Sequence, residues 1–218
     1  MKKITGNKEP RILCKFDKRE DLAPILRKKG LFILPTTNGE YVLVIGDGFH
    51  DLEDITKIPI INYDPKLPFK LKSAGHGDSE GQKLEYTIST KLIETFVNRG
   101  TLITTIRGRK YSTPFHFMFN GNKIETNSVQ IEADSGLEGE KEIVIIEAKS
   151  SKPTNFVIRQ LYYPYRFWNM TTGKEVIPIF FIYDKFNDTY CFWEYEFQDK
   201  MNYNSIRLVK MGRYKIIQ

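Results

Sequence analysis

The stretch EIVIIEAKSS, Glu142 to Ser151, decides how the rest of the chain is read. In a strand, successive side chains point to opposite faces. Val144, Ile146 and Ala148 then share one face, and Ile143, Ile145, Glu147 and Lys149 the other. So continuous an apolar run predicts a strand covered on both sides. Yet it ends on a carboxylate and an ammonium two residues apart. An unpaired charge is costly to bury, so Lys149 serving as a structural partner for Glu147 is one explanation.

The residues before it offer another. QIEAD, Gln130 to Asp134, ends the preceding apolar alternation, and SGLEGEK reads as the turn between two strands of a hairpin. Asp134 stands 13 residues before Glu147 and can be carried across the hairpin to its side. Two adjacent carboxylates repel and raise each other's pKa. A hard divalent cation removes that penalty, and Mg²⁺ favours one or two carboxylates, waters and a substrate phosphate. Lys149, on the Glu147 face, would lie near that phosphate.

Farther out, Leu84, Ile88, Leu92 and Phe96, with Ile93 and Val97, make one helical stripe that Gly100 stops. TLITTI and FHFMF read as strands, and KIETNSVQIEAD as one more. TNFVIRQLYYPYRFW has helical spacing at Val157, Leu161, Tyr165 and Trp168, with Thr154 or Asn155 as cap and Pro164 as a kink. EVIPIFFIYD and DTYCFWEYEF follow as strands. Upstream, REDLAPILRKKG reads as a short helix capped by Asp21, and LFILP and YVLVIG as a strand pair. The proline- and glycine-containing run from Lys57 to Gln82 reads as a connector. The order is mixed α/β, divided into a basic region over 1–80 and a main domain over 81–218.

The composition fits a folded polyanion binder. The chain has 218 residues, 40% hydrophobic, and a formal net charge of +6. The charge is uneven: residues 1–30 hold 10 basic and 4 acidic side chains, whereas 111–150 hold 3 and 7. A cation site within basic surroundings is the expected reading. Cys14 and Cys191 have no metal-like spacing, which suggests reduced thiols and a cytoplasmic protein. No leader-like apolar block follows the early lysines, and no run is long enough for a membrane helix.

Asp134 with Glu147-Ala148-Lys149 resembles the D…(D/E)XK motif of the PD-(D/E)XK nuclease superfamily, and the segment after it is similar to that of some bacterial type II restriction endonucleases. The resemblance spans roughly 82–185; Ala133 stands where the family's proline would be. It implies a restriction-endonuclease-like α/β core, a mixed central β-sheet flanked by helices, with an N-terminal α+β extension. It also implies Mg²⁺, with Mn²⁺ as a substitute, held by Asp134, Glu147 and the Ala148 carbonyl. Lys149 would orient or activate water and stabilise the developing charge. The implied activity is site-specific hydrolysis of double-stranded DNA to 5′-phosphates, by a homodimer, with a cognate methyltransferase as genetic partner. Glu132 shares a strand face with Asp134 and is the alternative first acid. Glu94, and less so Glu85, are helix carboxylates of the kind many members add to the metal, and Gln160 would bond phosphate or a ligating carboxylate. Arg107, Arg109 and Lys110 in IRGRKYS read as a phosphate-contacting loop, and Arg159 and Arg166 as further DNA contacts. The rival readings are a repair or junction nuclease of the same superfamily, and a non-catalytic, winged-helix-like DNA-binding regulator.

Overall fold

The computed structural model describes residues 14–77 and 79–217. It is an α/β structure built on a mixed seven-stranded sheet. Four helices are described: α1 (Pro24–Lys28), α2 (Glu80–Ser89), α3 (Leu92–Val97) and α4 (Arg159–Thr172). The large sheet holds β4 (Ile60–Tyr63), β5 (Ile103–Tyr111), β8 (Gln130–Glu138), β9 (Glu142–Lys149), β11 (Glu175–Asp184), β12 (Thr189–Phe197) and β13 (Ile206–Ile216), in the spatial order β4-β13-β12-β11-β9-β8-β5. β5, β8 and β9 are antiparallel neighbours, and β11 returns through α4 to lie parallel to β9. Two hairpins, β1 (Leu31–Pro35) with β2 (Tyr41–Ile45) and β6 (Phe115–Phe119) with β7 (Asn122–Thr126), stand beside it. β3 (Phe49–Asp51) pairs with β10 (Asn155–Val157).

β9 is the strand its sequence predicts: every residue from Glu142 to Ala148 is buried, and only Lys149 is partly open. Its two faces enter different cores. Ile143 and Ile145 pack with Leu161, Tyr162 and Phe180; Val144, Ile146 and Ala148 pack with Leu84, Leu92, Ile93 and Phe96. The residues ahead of 81 share these cores. Phe32, Leu34 and Phe49 join the first, and β4 extends the large sheet along β13.

Several local readings need correction. The helical stripe from Leu84 to Val97 is two helices, because Lys91 adopts a left-handed φ of 59°. There the Thr90 hydroxyl bonds back to the Tyr86 carbonyl, a local alternative to continued helix. KIETNSVQIEAD is two strands broken at Ser128, which has φ 57°. IRGRKYS is not a loop: residues up to Tyr111 belong to β5, paired with Gln130–Ala133. Asn155 does not cap the following helix but pairs as β10 and accepts the Arg19 amide hydrogen at 2.6 Å. Asp21 does not cap α1 either, since a 3₁₀ turn over Arg19–Asp21 precedes it and Pro24 opens the helix. The connector contains β4, which short length and flanking prolines hide from pattern reading. β13 is also absent from the sequence reading, because its bulge-containing alternation mixes charged and apolar residues on both faces.

Candidate functional site

The site forms where β8 and β9 part. Their ladder pairs Ser135 with Ile146, so Asp134 and Glu147 are the next residues beyond it. β8 is irregular here. Ile106 of β5 faces Gly136, while Gly108 faces Ala133, so β8 advances three residues for two on β5. The extra residue is a bulge in the Asp134–Ser135 stretch, and bulges re-aim side chains. Asp134 turns toward β9, and its Oδ2 accepts the Ala148 amide hydrogen at 2.7 Å.

Glu147 is the hub. Its Oε1 accepts from Lys149 Nζ and from Gln160 Nε2, each at 2.6 Å. Gln160 is the second residue of α4, placed over the strand end by the tight β10–α4 connection. Its Nε2 also donates to Asp17 Oδ1 at 3.2 Å, and Lys149 Nζ stands 4.0 Å from the same oxygen. Gln160 Oε1 is buried without a hydrogen-bond partner. Glu80, at the start of α2, accepts the Ser150 amide hydrogen and ties that helix to the end of β9. Asp17, Glu132, Asp134, Glu147, Lys149 and Arg159 line a pocket of about 370 Å³ around this hub.

Electrostatically the pocket is under strain. Burial pushes the Glu147 carboxyl up to about 8; Lys149 pulls against that shift, and Asp134 and Asp17 reinforce it. Asp134, although its side chain reaches solvent, is also raised by lost hydration. The Ala148 N–H and Lys149 oppose that, and Glu80 and Glu132 add to it. Burial alone would lower the Lys149 ammonium, but Glu147 and Asp17 together hold it above its ordinary value. Such an excess of negative charge is relieved by a cation.

The donor set fits a hard divalent ion: two carboxylates on adjacent strands, the Ala148 carbonyl and an unpartnered buried amide oxygen. The described residues hold no group of three or more His, Cys, Asp or Glu arranged for a metal. For Mg²⁺ that leaves the remaining positions to water and substrate oxygens.

The other sequence candidates are dispersed. Glu94 is not brought to this pocket; its carboxylate accepts the Leu102 amide hydrogen at 2.8 Å and caps a turn. Arg107 pairs with Glu85, and Arg109 with Glu132 at 3.0 Å, both on the outer edge strand β5. Lys110 lies over the Trp168 ring at 5.0 Å. Arg166 is corrected as a DNA contact: it is buried under the β6–β7 hairpin, where its Nη2 faces the His116 carbonyl. Arg159 does line the pocket. Tyr162, Tyr163 and Tyr165 of α4 are core, with Tyr162 and Tyr163 donating to the carbonyls of Lys200 and Pro35, while Phe167 and Trp168 are partly buried against it.

Two carboxylates at or beside the pocket escaped the sequence reading, Asp17 in its lining and Glu80 on the Ser150 amide. Glu80 follows a Ser79 cap whose side chain accepts from Gln82 N, a legible helix start that does not say where the helix end will point. Asp17 lies 130 positions before Glu147, and nothing local connects them.

Comparison with known proteins gives a family but no activity. No curated protein matches, and no solved structure matches. Residues 1–43 match the family model "Domain of unknown function (DUF6996)". Residues 44–215, most of the chain and all of the strands that carry Asp134, Glu147 and Lys149, match "Domain of unknown function (DUF6997)", and the chain belongs to that family.

Proposed function

We propose that this protein is a metal-dependent endonuclease of PD-(D/E)XK type acting on double-stranded DNA, in the manner of a type II restriction enzyme. One observation carries the reading: the acid at the bulge in β8 and the Glu-X-Lys ending β9 converge on one polar pocket. The finer fold assignment draws support from the helix, the three antiparallel strands β5-β8-β9, and the return through α4 to a parallel β11.

Asp134, Glu147 and the Ala148 carbonyl would hold Mg²⁺, which when bound supplies Lewis acidity toward a phosphoryl oxygen. The chain's own groups do the rest. Gln160 fixes the Glu147 carboxylate through its amide hydrogens. Lys149 presents a compact ammonium where charge develops on the phosphorus oxygens, which is worth most in a partly dehydrated site. Arg159 adds positive charge at the pocket wall to seat the backbone. A homodimer reading a two-fold site, with a methyltransferase protecting host DNA, follows from the restriction-enzyme reading.

The test is incubation of the purified protein with phage DNA and Mg²⁺, followed by sequencing of fragment ends. Discrete fragments with 5′-phosphates support the reading. DNA binding with no cleavage in Mg²⁺ or Mn²⁺ would leave the non-catalytic regulator.

A further inference from the structure

The segment leading into the 3₁₀ turn over Arg19–Asp21 is held at the pocket by its own packing. Phe16 is buried, edge-on to Phe32 at 5.3 Å between ring centroids. The Asp17 carbonyl accepts the Val157 amide hydrogen at 3.2 Å, and the Arg19 amide donates to Asn155 at 2.6 Å. Between these anchors the Asp17 side chain is 71% exposed, yet it faces two groups of the site. Its Oδ1 takes a Gln160 amide hydrogen at 3.2 Å and stands 4.0 Å from the Lys149 ammonium. An anion is therefore already opposite the two donors that a phosphate oxygen would need.

We propose that Asp17 is a positioning residue that sets the anion affinity of this pocket: its carboxylate holds Gln160 and Lys149 in place, and an entering phosphate group must take those donors from it. The segment matched by the separate 1–43 family model thereby completes a pocket whose other groups come from the 44–215 region. The inference rests on the reading that a phosphate-bearing substrate enters beside Lys149, and it goes beyond that reading by giving the N-terminal segment a role at the site itself.

Its physical consequence has a sign that a structural role lacks. Removing the Asp17 charge leaves Lys149 with one fewer competing anion, so phosphate binds more tightly. A residue that merely fastens the N-terminal segment gives lower stability and no gain in affinity. Asp17→Glu keeps the charge and restores wild-type behaviour.

The experiment titrates inorganic phosphate into the full-length protein with Mg²⁺ present, followed by amide NMR shifts. The proteins are wild type, Asp17→Asn, Asp17→Glu, and Asp17→Asn combined with Lys149→Met. Asp17→Asn is expected to bind phosphate about two- to fivefold more tightly, the scale of one exposed charge contact. The gain should vanish when Lys149 is also replaced. Unchanged or weaker phosphate binding in Asp17→Asn overturns the proposal, and so does a large drop in its melting temperature. Cleavage of duplex DNA by the wild type is scored separately. A tighter-binding Asp17→Asn with no wild-type cleavage removes the nuclease reading and keeps the inference; cleavage with unchanged phosphate binding does the reverse.

Discussion

Two glutamate–lysine pairs lie in the same sheet, and burial does not separate them. The Glu147 side chain is 10% exposed and that of Glu194 is 6%. Glu194 of β12 faces Lys210 of β13 in the strand register, 3.2 Å away. Lys210 also donates to the carbonyls of Phe96 and Val97, closing the last turn of α3. That ammonium is used up by structure. Glu147 and Lys149 sit two residues apart on one strand, with Asp134 and Asp17 close enough to act on them and Glu80 acting in turn on Asp134. The first pair closes a fold; the second leaves uncompensated acid facing a pocket. Excess charge and open space, more than burial, distinguish a working pair from a structural one.

The largest effect should come from the acids. Asp134→Ala or Glu147→Gln should abolish cleavage while duplex binding and the fold persist, measured by gel assay beside thermal melting. Melting temperature should hold or rise, because each change relieves repulsion in the metal-free protein. A variant that cuts normally, or that unfolds, would erase the contrast with Glu194.

Exchange of the two lysines sharpens it. Lys149→Met should slow single-turnover cleavage by about 10²- to 10³-fold, the usual loss when a group stabilising a developing oxyanion is removed, with little change in melting. Lys149→Arg should recover little, since a forked guanidinium replaces a compact ammonium. Lys210→Met should instead leave cleavage near wild type and destabilise by about 3 kcal/mol, because a buried carboxylate and two helix carbonyls lose their partner. The opposite pattern would mean that the pair on β9 is the structural one.

Stability against pH gives a smaller effect with a fixed sign. Glu147 keeps its proton in the folded protein up to about 8, while the unfolded chain loses it near the ordinary 4.5. The unfolded state therefore binds fewer protons between those values, and this group's contribution to stability falls as pH rises through that window. Lys149, held above its ordinary 10.5, stays charged throughout the same window and adds no pH slope of its own there. Relative to wild type, Glu147→Gln should gain melting temperature from pH 4.5 to about 8 and then level off. A flat difference across that range would show that Glu147 titrates normally. Mg²⁺ should also bind more tightly as pH rises toward 8, since the ion must displace the proton.

The smallest effect belongs to the edge strand. Arg107→Ala with Arg109→Ala should weaken binding to all duplexes alike and reduce the salt slope by at most about two units, roughly one per lost phosphate contact. Both arginines already hold carboxylates, Glu85 and Glu132, which limits the loss. Filter binding over a range of salt concentrations measures it. A changed cleavage sequence would make them base readers.

What the sequence determined by itself was local and periodic. The two-faced burial of β9, the strands Glu175–Asp184 and Thr189–Phe197, and the antiparallel pairing of β8 with β9 follow from side-chain alternation, which acts over a few residues; the turn between them is shorter than its sequence suggests, because Ser135–Glu138 continue β8 and only residues 139–141 connect the strands. Gln160 was legible for the same reason, as a polar side chain at a fixed offset from the motif on a helix that must return over the sheet. Only the tertiary structure decided the rest. The break at Lys91, the bulge at Asp134–Ser135 and the burial of Arg166 each reflect packing against distant elements that outweighs local preference. Asp17 shows the limit most clearly. An exposed aspartate among lysines carries no signal of its own, and it reaches Gln160 and Lys149 because Phe16, buried beside it in an aromatic cluster, fixes where the chain must pass.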